Sequence, residues 1–358
     1  MGTITSNYAA PQHGPRPLPL FLSHLWEQSQ NDTELRIKAL AGLRQYQDAA
    51  RSPLWRTGEV RASVGTARLL QMRQSQSTLK TSPVVLVPSI VNPPHILDLS
   101  ERMSLARYLE DQGHDPYLVD WGYPATEDAD VGLDRHVSDR LLPLLLALER
   151  PPIVVGYCLG GTLSIAAAGL MPQIAGLATI AAPWDFDRYP PDSRKLIAYM
   201  WTGAQALSER LGYAPMEVLQ SGFWALDPAR TIRKYAAFAD MEPTSEVANA
   251  FIAVEDWANE GAPLSYAAAR DLFERLYRDN HTGLGKWEVG GKPVDPSLLS
   301  SPTLTISSTT DRIVPLDAAP NFGERIDSAL GHVGMIVSKR APAEIWKPLS
   351  LWLSKHGG

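Results

Sequence analysis

The segment Gly156-Tyr157-Cys158-Leu159-Gly160-Gly161 leaves the backbone little choice. It stands between a short apolar run, Ile153-Val-Val, and a stretch of helical pattern from Leu159 to about Leu170. A chain that passes from a buried strand to a helix in so few residues must turn sharply, and small neighbours let the two backbones approach. Such an elbow lifts one side chain, here Cys158, clear of the sheet, with a helix N-terminus behind it that favours a thiolate over a thiol. A lone cysteine at a buried strand end is more often a small apolar filler. The flanking glycines, the strand before and the helix after all fit a nucleophile instead.

The pattern around the elbow repeats. Pro83-Val-Val-Leu-Val-Pro88, Asp115-Pro-Tyr-Leu-Val-Asp-Trp121 and Gly176-Leu-Ala-Thr-Ile-Ala-Ala182 are continuous apolar runs, as expected of strands buried on both faces. Helical stretches separate them, from Asp98 to Gln112 and from Leu133 to Leu148. Strands alternating with helices at this spacing predict a mostly parallel sheet covered on both faces, the α/β-hydrolase arrangement that an elbow serves. Residues 80–183 and 300–358 form that core. Residues 1–75 are a Pro- and Gly-rich tail followed by a segment of helical periodicity. Residues 184–299, helical in pattern and rich in aromatics, interrupt the alternation and are expected as a helical cap over the carboxyl edge of the sheet, where open α/β sheets keep their active sites.

An elbow of this type takes an acid and then a histidine later in the chain. Asp311 sits just past the strand Ser301–Ser307, where such an acid belongs; Asp317 is the rival, expected as a solvated or capping residue. His332, in Gly331-His-Val-Gly334, is the histidine downstream of Asp311 that precedes the last helix, whereas His356 lies in the C-terminal tail. The spacing of His95, His114, His136 and His281 suggests no metal site. The oxyanion hole is expected from the backbone N–H of Leu159 and one from the loop after the Val84–Val87 strand, where Ile90 and Val91 are both candidates.

Composition removes other classes. One cysteine in 358 residues excludes an internal disulfide, a zinc site built on several cysteines, and an iron–sulfur cluster held by this chain alone. A hydrophobic fraction of 44% with 20% charged residues excludes disorder over most of the chain. A formal net charge of -6 argues against nucleic-acid binding, which needs a dense basic surface. No apolar stretch reaches the ~20 residues of a transmembrane helix, and the N-terminus carries no secretory signal pattern. A cytoplasmic, reducing setting is therefore expected. The MGTITS start fits a myristoylation pattern only loosely.

The Gly156–Gly161 box, with Asn92-Pro-Pro-His-Ile-Leu-Asp-Leu99, Val119-Asp-Trp-Gly-Tyr-Pro124, Asp311-Arg-Ile-Val-Pro315 and Gly331-His-Val-Gly334, resembles the polyhydroxyalkanoate synthases, from about Pro83 to the last helix. In length the chain is similar to the short catalytic subunit of the two-subunit synthases. The resemblance implies an acyltransferase that polymerises 3-hydroxyacyl-CoA into polyester. It makes Cys158 the acyl-carrying nucleophile, His332 its base and Asp311 the residue that assists His332 or activates the incoming hydroxyl. It also implies acyl-CoA as substrate with no further cofactor, a second subunit or a homodimer, and location at the polyester granule surface. One departure is Arg312, where the family has histidine after the acid; the segment before the sheet is also shorter than in the long synthases. The rival reading is a cysteine α/β hydrolase, an intracellular polyester depolymerase or a thioesterase. A third is a non-catalytic granule-binding scaffold, against which the intact set of Cys158, Asp311 and His332 speaks. Arg230, Arg233 and Lys234 are candidates to meet the phosphates of coenzyme A, although a solvated helix face accounts for them more simply.

Overall fold

The strands of the central sheet are β1 (Glu59–Val64), β2 (Ala67–Gln71), β3 (Pro83–Val87), β4 (Asp115–Asp120), β5 (Ile153–Tyr157), β6 (Gly176–Ile180), β7 (Thr303–Ser308) and β8 (Glu324–Ser328). In space they run β1-β2-β4-β3-β5-β6-β7-β8. The computed structural model describes residues 14–51, 58–72 and 81–357, so the MGTITS start lies outside the described residues. From β4 to β8 every neighbouring pair is parallel, while β1/β2 and β2/β4 are antiparallel. The inner strands β3, β5 and β6 are buried at every residue, which is why they read as unbroken apolar runs.

Both edges of the sheet depart from the sequence reading. Residues 59–71, expected as part of a helical segment, form the β1/β2 hairpin, which turns at Gly65 with φ of 57°. The strand β8 was not anticipated at all. Both are edge elements with mostly exposed or half-buried side chains, so neither carries an apolar run. The helix expected from Asp98 begins later, at Leu105, where the Ser104 side chain accepts from the Arg107 N–H at 2.8 Å; Asp98–Ser100 pairs instead with Met103–Ser104 in a small hairpin.

The chain divides into two compact units, one of residues 14–51 with 223–259 and one of the remaining described residues. The segment expected as a single cap over 184–299 is thus shared between them. In the first unit, helices Leu18–Gln28 and Thr33–Asp48 bury Phe21, Leu25, Leu43 and Tyr46 against Ile232, Tyr235 and Phe238 of helix Pro228–Phe238 and Ile252 of helix Glu246–Asn259. A polar network runs through that unit. Glu255 accepts from Lys234 at 2.6 Å and from the Tyr235 hydroxyl at 2.9 Å. Asp256 accepts from the Tyr46 hydroxyl at 2.5 Å and from Arg51 at 3.1 Å. In the second unit, helix Leu159–Leu170 packs on the sheet with Leu159 to Ala168 all buried. Among the described residues no helix is long and apolar enough to cross a membrane.

Candidate active site

Cys158 is the last residue before helix Leu159–Leu170 and adopts φ 54°, ψ -132°, a conformation that L-residues rarely take. Its N–H donates to the Ile180 carbonyl at the end of β6 at 2.9 Å, and its own carbonyl accepts from Gly161 at 2.8 Å, so the turn is fixed on both sides. The box needs its glycines for close approach. A Cβ on Gly156 would run into the Gly161 backbone, and one on Gly160 into the carbonyls of Val87 and Pro88. Substitution at either position would therefore push the helix away from the sheet. Cys158 itself is half-buried.

Three carboxyl ends of the parallel sheet supply the reactive groups. Cys158 follows β5, Asp311 follows β7, and His332 follows β8 in the loop before the short helix Gly334–Val337. His332 Nδ1 lies 2.7 Å from Asp311 Oδ2, and both residues are buried. With a carboxylate as acceptor, Nδ1 carries the proton, which turns Nε2 toward the sulfur. The other carboxylate oxygen, Oδ1, accepts from the Ile313 N–H at 2.7 Å and the Val314 N–H at 3.0 Å. Asp311 is thereby held from both ends. The rival acid Asp317 is exposed in the turn Leu316–Ala318.

Electrostatics agree with this order. Burial opposes a charge on His332, but the Asp311 and Cys158 charges and the hydrogen bonds from both outweigh it and raise the imidazole to about 10. Such a histidine keeps its proton far into the alkaline range while the acid and the sulfur stand beside it. Tyr157, the residue before the cysteine, donates its hydroxyl to the His332 carbonyl at 3.4 Å, and the two rings stand 5.3 Å apart. Sequence reasoning passed over this tyrosine; the signal was its place inside the elbow box.

Helix Leu159–Leu170 leaves the Leu159 N–H without an intrahelical acceptor, as the first N–H of any helix is left. The close contact of Gly160 with Val87 and Pro88 brings the loop after β3 against that helix start. In this loop the Val91 N–H is taken by Ser89 Oγ at 3.2 Å, which leaves Ile90 as the better donor toward an oxyanion. Trp121 Nε1 anchors the loop through the Pro88 carbonyl at 3.0 Å.

The other candidates stand elsewhere. His114 meets Ser350 Oγ at 2.9 Å and the His136 ring donates to the Gly132 carbonyl at 2.8 Å, and burial lowers the pKa of both. His95 lies 4.0 Å from Glu260, and His356 lies 3.6 Å from Glu324. Among the described residues no group of three or more His, Cys, Asp or Glu side chains could hold a metal ion. Arg230, Arg233 and Lys234 belong to the unit that does not contain Cys158, and Lys234 is already paired with Glu255.

A model of the "Alpha/beta hydrolase family" matches residues 84–344. The chain is similar to the poly(3-hydroxyalkanoate) polymerase subunit PhaC of Haloferax mediterranei, 30% identical over 305 residues that cover 81% of this chain and 62% of that one. It is also similar to the protein of the same name from Thiocystis violacea, 29% identical over 295 residues, with 78% and 82% covered. The chain thus spans less than two thirds of the length of the Haloferax relative. A solved esterase structure from Thermogutta terrifontis covers 83% of this chain and 99% of its own at 16% identity, with a TM-score of 0.45. The resemblance to polyhydroxyalkanoate synthases read from the motifs is therefore borne out by similarity over most of the chain.

Proposed function

This chain belongs to the alpha/beta hydrolase family, and we propose that within it the protein is an acyltransferase that joins 3-hydroxyacyl groups from coenzyme A thioesters into polyester. The observation that carries the reading is the hydrogen-bonded line from Asp311 through His332 to the sulfur of Cys158, with cysteine at the elbow. The names of the relatives supply the substrate class.

The chemistry follows from the sulfur. Cys158 starts as a thiolate paired with the His332 imidazolium, which holds the thiol's proton and which Asp311 stabilises. The thiolate attacks the carbonyl carbon of the acyl-CoA, and the oxyanion is met by the N–H groups of Leu159 and Ile90. As the carbonyl reforms, the carbon–sulfur bond to coenzyme A breaks and His332 returns its proton to the departing thiolate. One thioester has replaced another, so the acyl group keeps its activation. In the second half His332 takes the proton of an incoming 3-hydroxyl, whose oxygen attacks the acyl-enzyme. An ester forms and Cys158 leaves as a thiolate, paired again with the imidazolium. Coenzyme A enters as the carrier of the substrate, and no other cofactor is invoked. A second subunit, a homodimer and attachment at the polyester granule surface belong to the same proposal and rest on the resemblance.

The test is a product balance with 3-hydroxybutyryl-CoA, run with and without a candidate partner subunit. The proposal expects release of coenzyme A with insoluble polymer and no stoichiometric free acid. Free 3-hydroxybutyrate equal to the coenzyme A released would overturn it in favour of a cysteine hydrolase.

A further inference from the structure

Two backbone N–H groups have to meet one oxygen if a carbonyl is to be stabilised beside Cys158, and the segments that carry them are held differently. The Leu159 N–H belongs to helix Leu159–Leu170, whose start is fixed by the hydrogen bonds of the elbow. The Ile90 N–H belongs to the loop of residues 88–92 after β3. Among the described residues no backbone–backbone hydrogen bond ties that loop to another segment. Ser89 Oγ accepts from inside the loop, from the Val91 N–H at 3.2 Å. Ile90 also lines a cleft of about 410 Å³ that is partly open to solvent, so packing does not close around the loop on every side.

The tie comes from Trp121. Its Nε1–H donates to the Pro88 carbonyl at 3.0 Å, the same carbonyl that lies against Gly160 too closely to admit a Cβ there. The indole is itself fixed. It is buried at the end of β4, where the Gly122 N–H donates to Asp120 Oδ1 at 3.0 Å and a Cβ on Gly122 would strike the Thr66 carbonyl. Its ring stands 5.8 Å from the His136 ring at 65°, and His136 is pinned in turn by the Gly132 carbonyl. We propose that Trp121 is a positioning residue for the oxyanion hole: its indole N–H holds the loop of residues 88–92, and with it the Ile90 N–H, where both donors reach the oxyanion. The inference rests on the acyl-transfer reading above and deepens it. Trp121 touches no reacting atom and acts through Ile90. A donor stabilises developing charge only when it is in place before the charge appears, so a loop released from the indole loses rate and keeps substrate binding.

The test compares two reactions of the same sulfur in the full chain, both followed by intact mass. Acylation by 3-hydroxybutyryl-CoA passes through an oxyanion. Alkylation by iodoacetamide displaces iodide from a saturated carbon and does not. Trp121→Phe keeps an aromatic ring and deletes the N–H, whereas Trp121→His keeps an N–H at the same place in a five-membered ring and deletes the second ring. Trp121→Phe should slow saturating single-turnover acylation by about ten- to a hundredfold, with the half-saturating acyl-CoA concentration and the alkylation rate unchanged. Trp121→His should restore acylation to within about threefold of wild type. Unchanged acylation in Trp121→Phe, a Trp121→His no faster than Trp121→Phe, or acylation and alkylation falling together each overturns the proposal and leaves acyl transfer standing. Absence of acylation in the wild-type protein overturns acyl transfer and the role of Trp121 with it.

Discussion

The two units of the chain each bury carboxylates among aromatic rings and hydroxyls, and they do opposite things with them. In the helical unit the network is closed. Glu255 is answered by Lys234 and Tyr235, and Asp256 by Tyr46 and Arg51. In the sheet unit the network is a line with an open end. Two backbone N–H groups hold one oxygen of Asp311, the other oxygen holds His332, and His332 holds the sulfur of Cys158, a residue only half-buried. A closed network fixes packing and ends there. An open one delivers its electrostatic bias to the last atom, and that atom can react.

The sharpest way to break this contrast is to remove the open end. Cys158→Ala should lower coenzyme A release by about ten-thousand-fold and abolish the covalent acyl-enzyme seen by intact mass; an acylated Cys158→Ala protein would refute the nucleophile. Cutting the line one step back costs less. Asp311→Asn should reduce the acylation rate by about a hundredfold to ten-thousand-fold, because the imidazolium loses its counter-charge and the tautomer its guide; stopped-flow release of coenzyme A reads this directly.

The line also has a pH signature. His332 is raised from 6.5 to about 10 in the folded chain. The folded state therefore binds more protons than the unfolded state between those values. The stability contributed by the charged histidine is full below about pH 6.5 and is lost as the pH rises toward 10. The difference in Tm between wild type and His332→Gln should shrink across that window. A difference that grows with pH would mean that the histidine is buried neutral.

The closed network should respond the other way. Glu255→Ala leaves a half-buried ammonium and a buried phenol without their acceptor and should cost about 2 kcal/mol in stability, read by urea unfolding, with the acylation rate of the folded protein unchanged. The smallest effect is expected at Ser89→Ala. It frees the Val91 N–H from Ser89 Oγ, and if Ile90 is the oxyanion donor the rate should change by less than about threefold. A larger gain would reassign the donor to Val91.

What could be read in the sequence follows how each element is buried. The strands β3, β5 and β6 lie inside the sheet with both faces covered, and their sequences announce it. The elbow was legible because a sharp strand-to-helix turn needs its glycines in fixed places. Asp311 and His332 were legible from chain order and from their positions after a strand and before the last helix. The β1/β2 hairpin and β8 were not, because β1 and β8 are edge strands that have one neighbour each and show much of their side-chain surface to water, so Glu324-Arg-Ile-Asp-Ser328 has no more apolar character than a loop. The closed network was not legible either. Tyr46 and Asp256 are 210 residues apart in the chain, and nothing in either local sequence names the other.

The N–H of Cys158 is part of the hydrogen bonding that joins β5 to β6, through the Ile180 carbonyl. The reactive residue is thus a rung of the sheet and not a passenger on a loop. Heat will not retire it piecemeal. The thiol keeps its posture for as long as β5 and β6 stay zipped and loses it when they part, so the catalyst's lifetime at high temperature is that of the innermost layer of the fold.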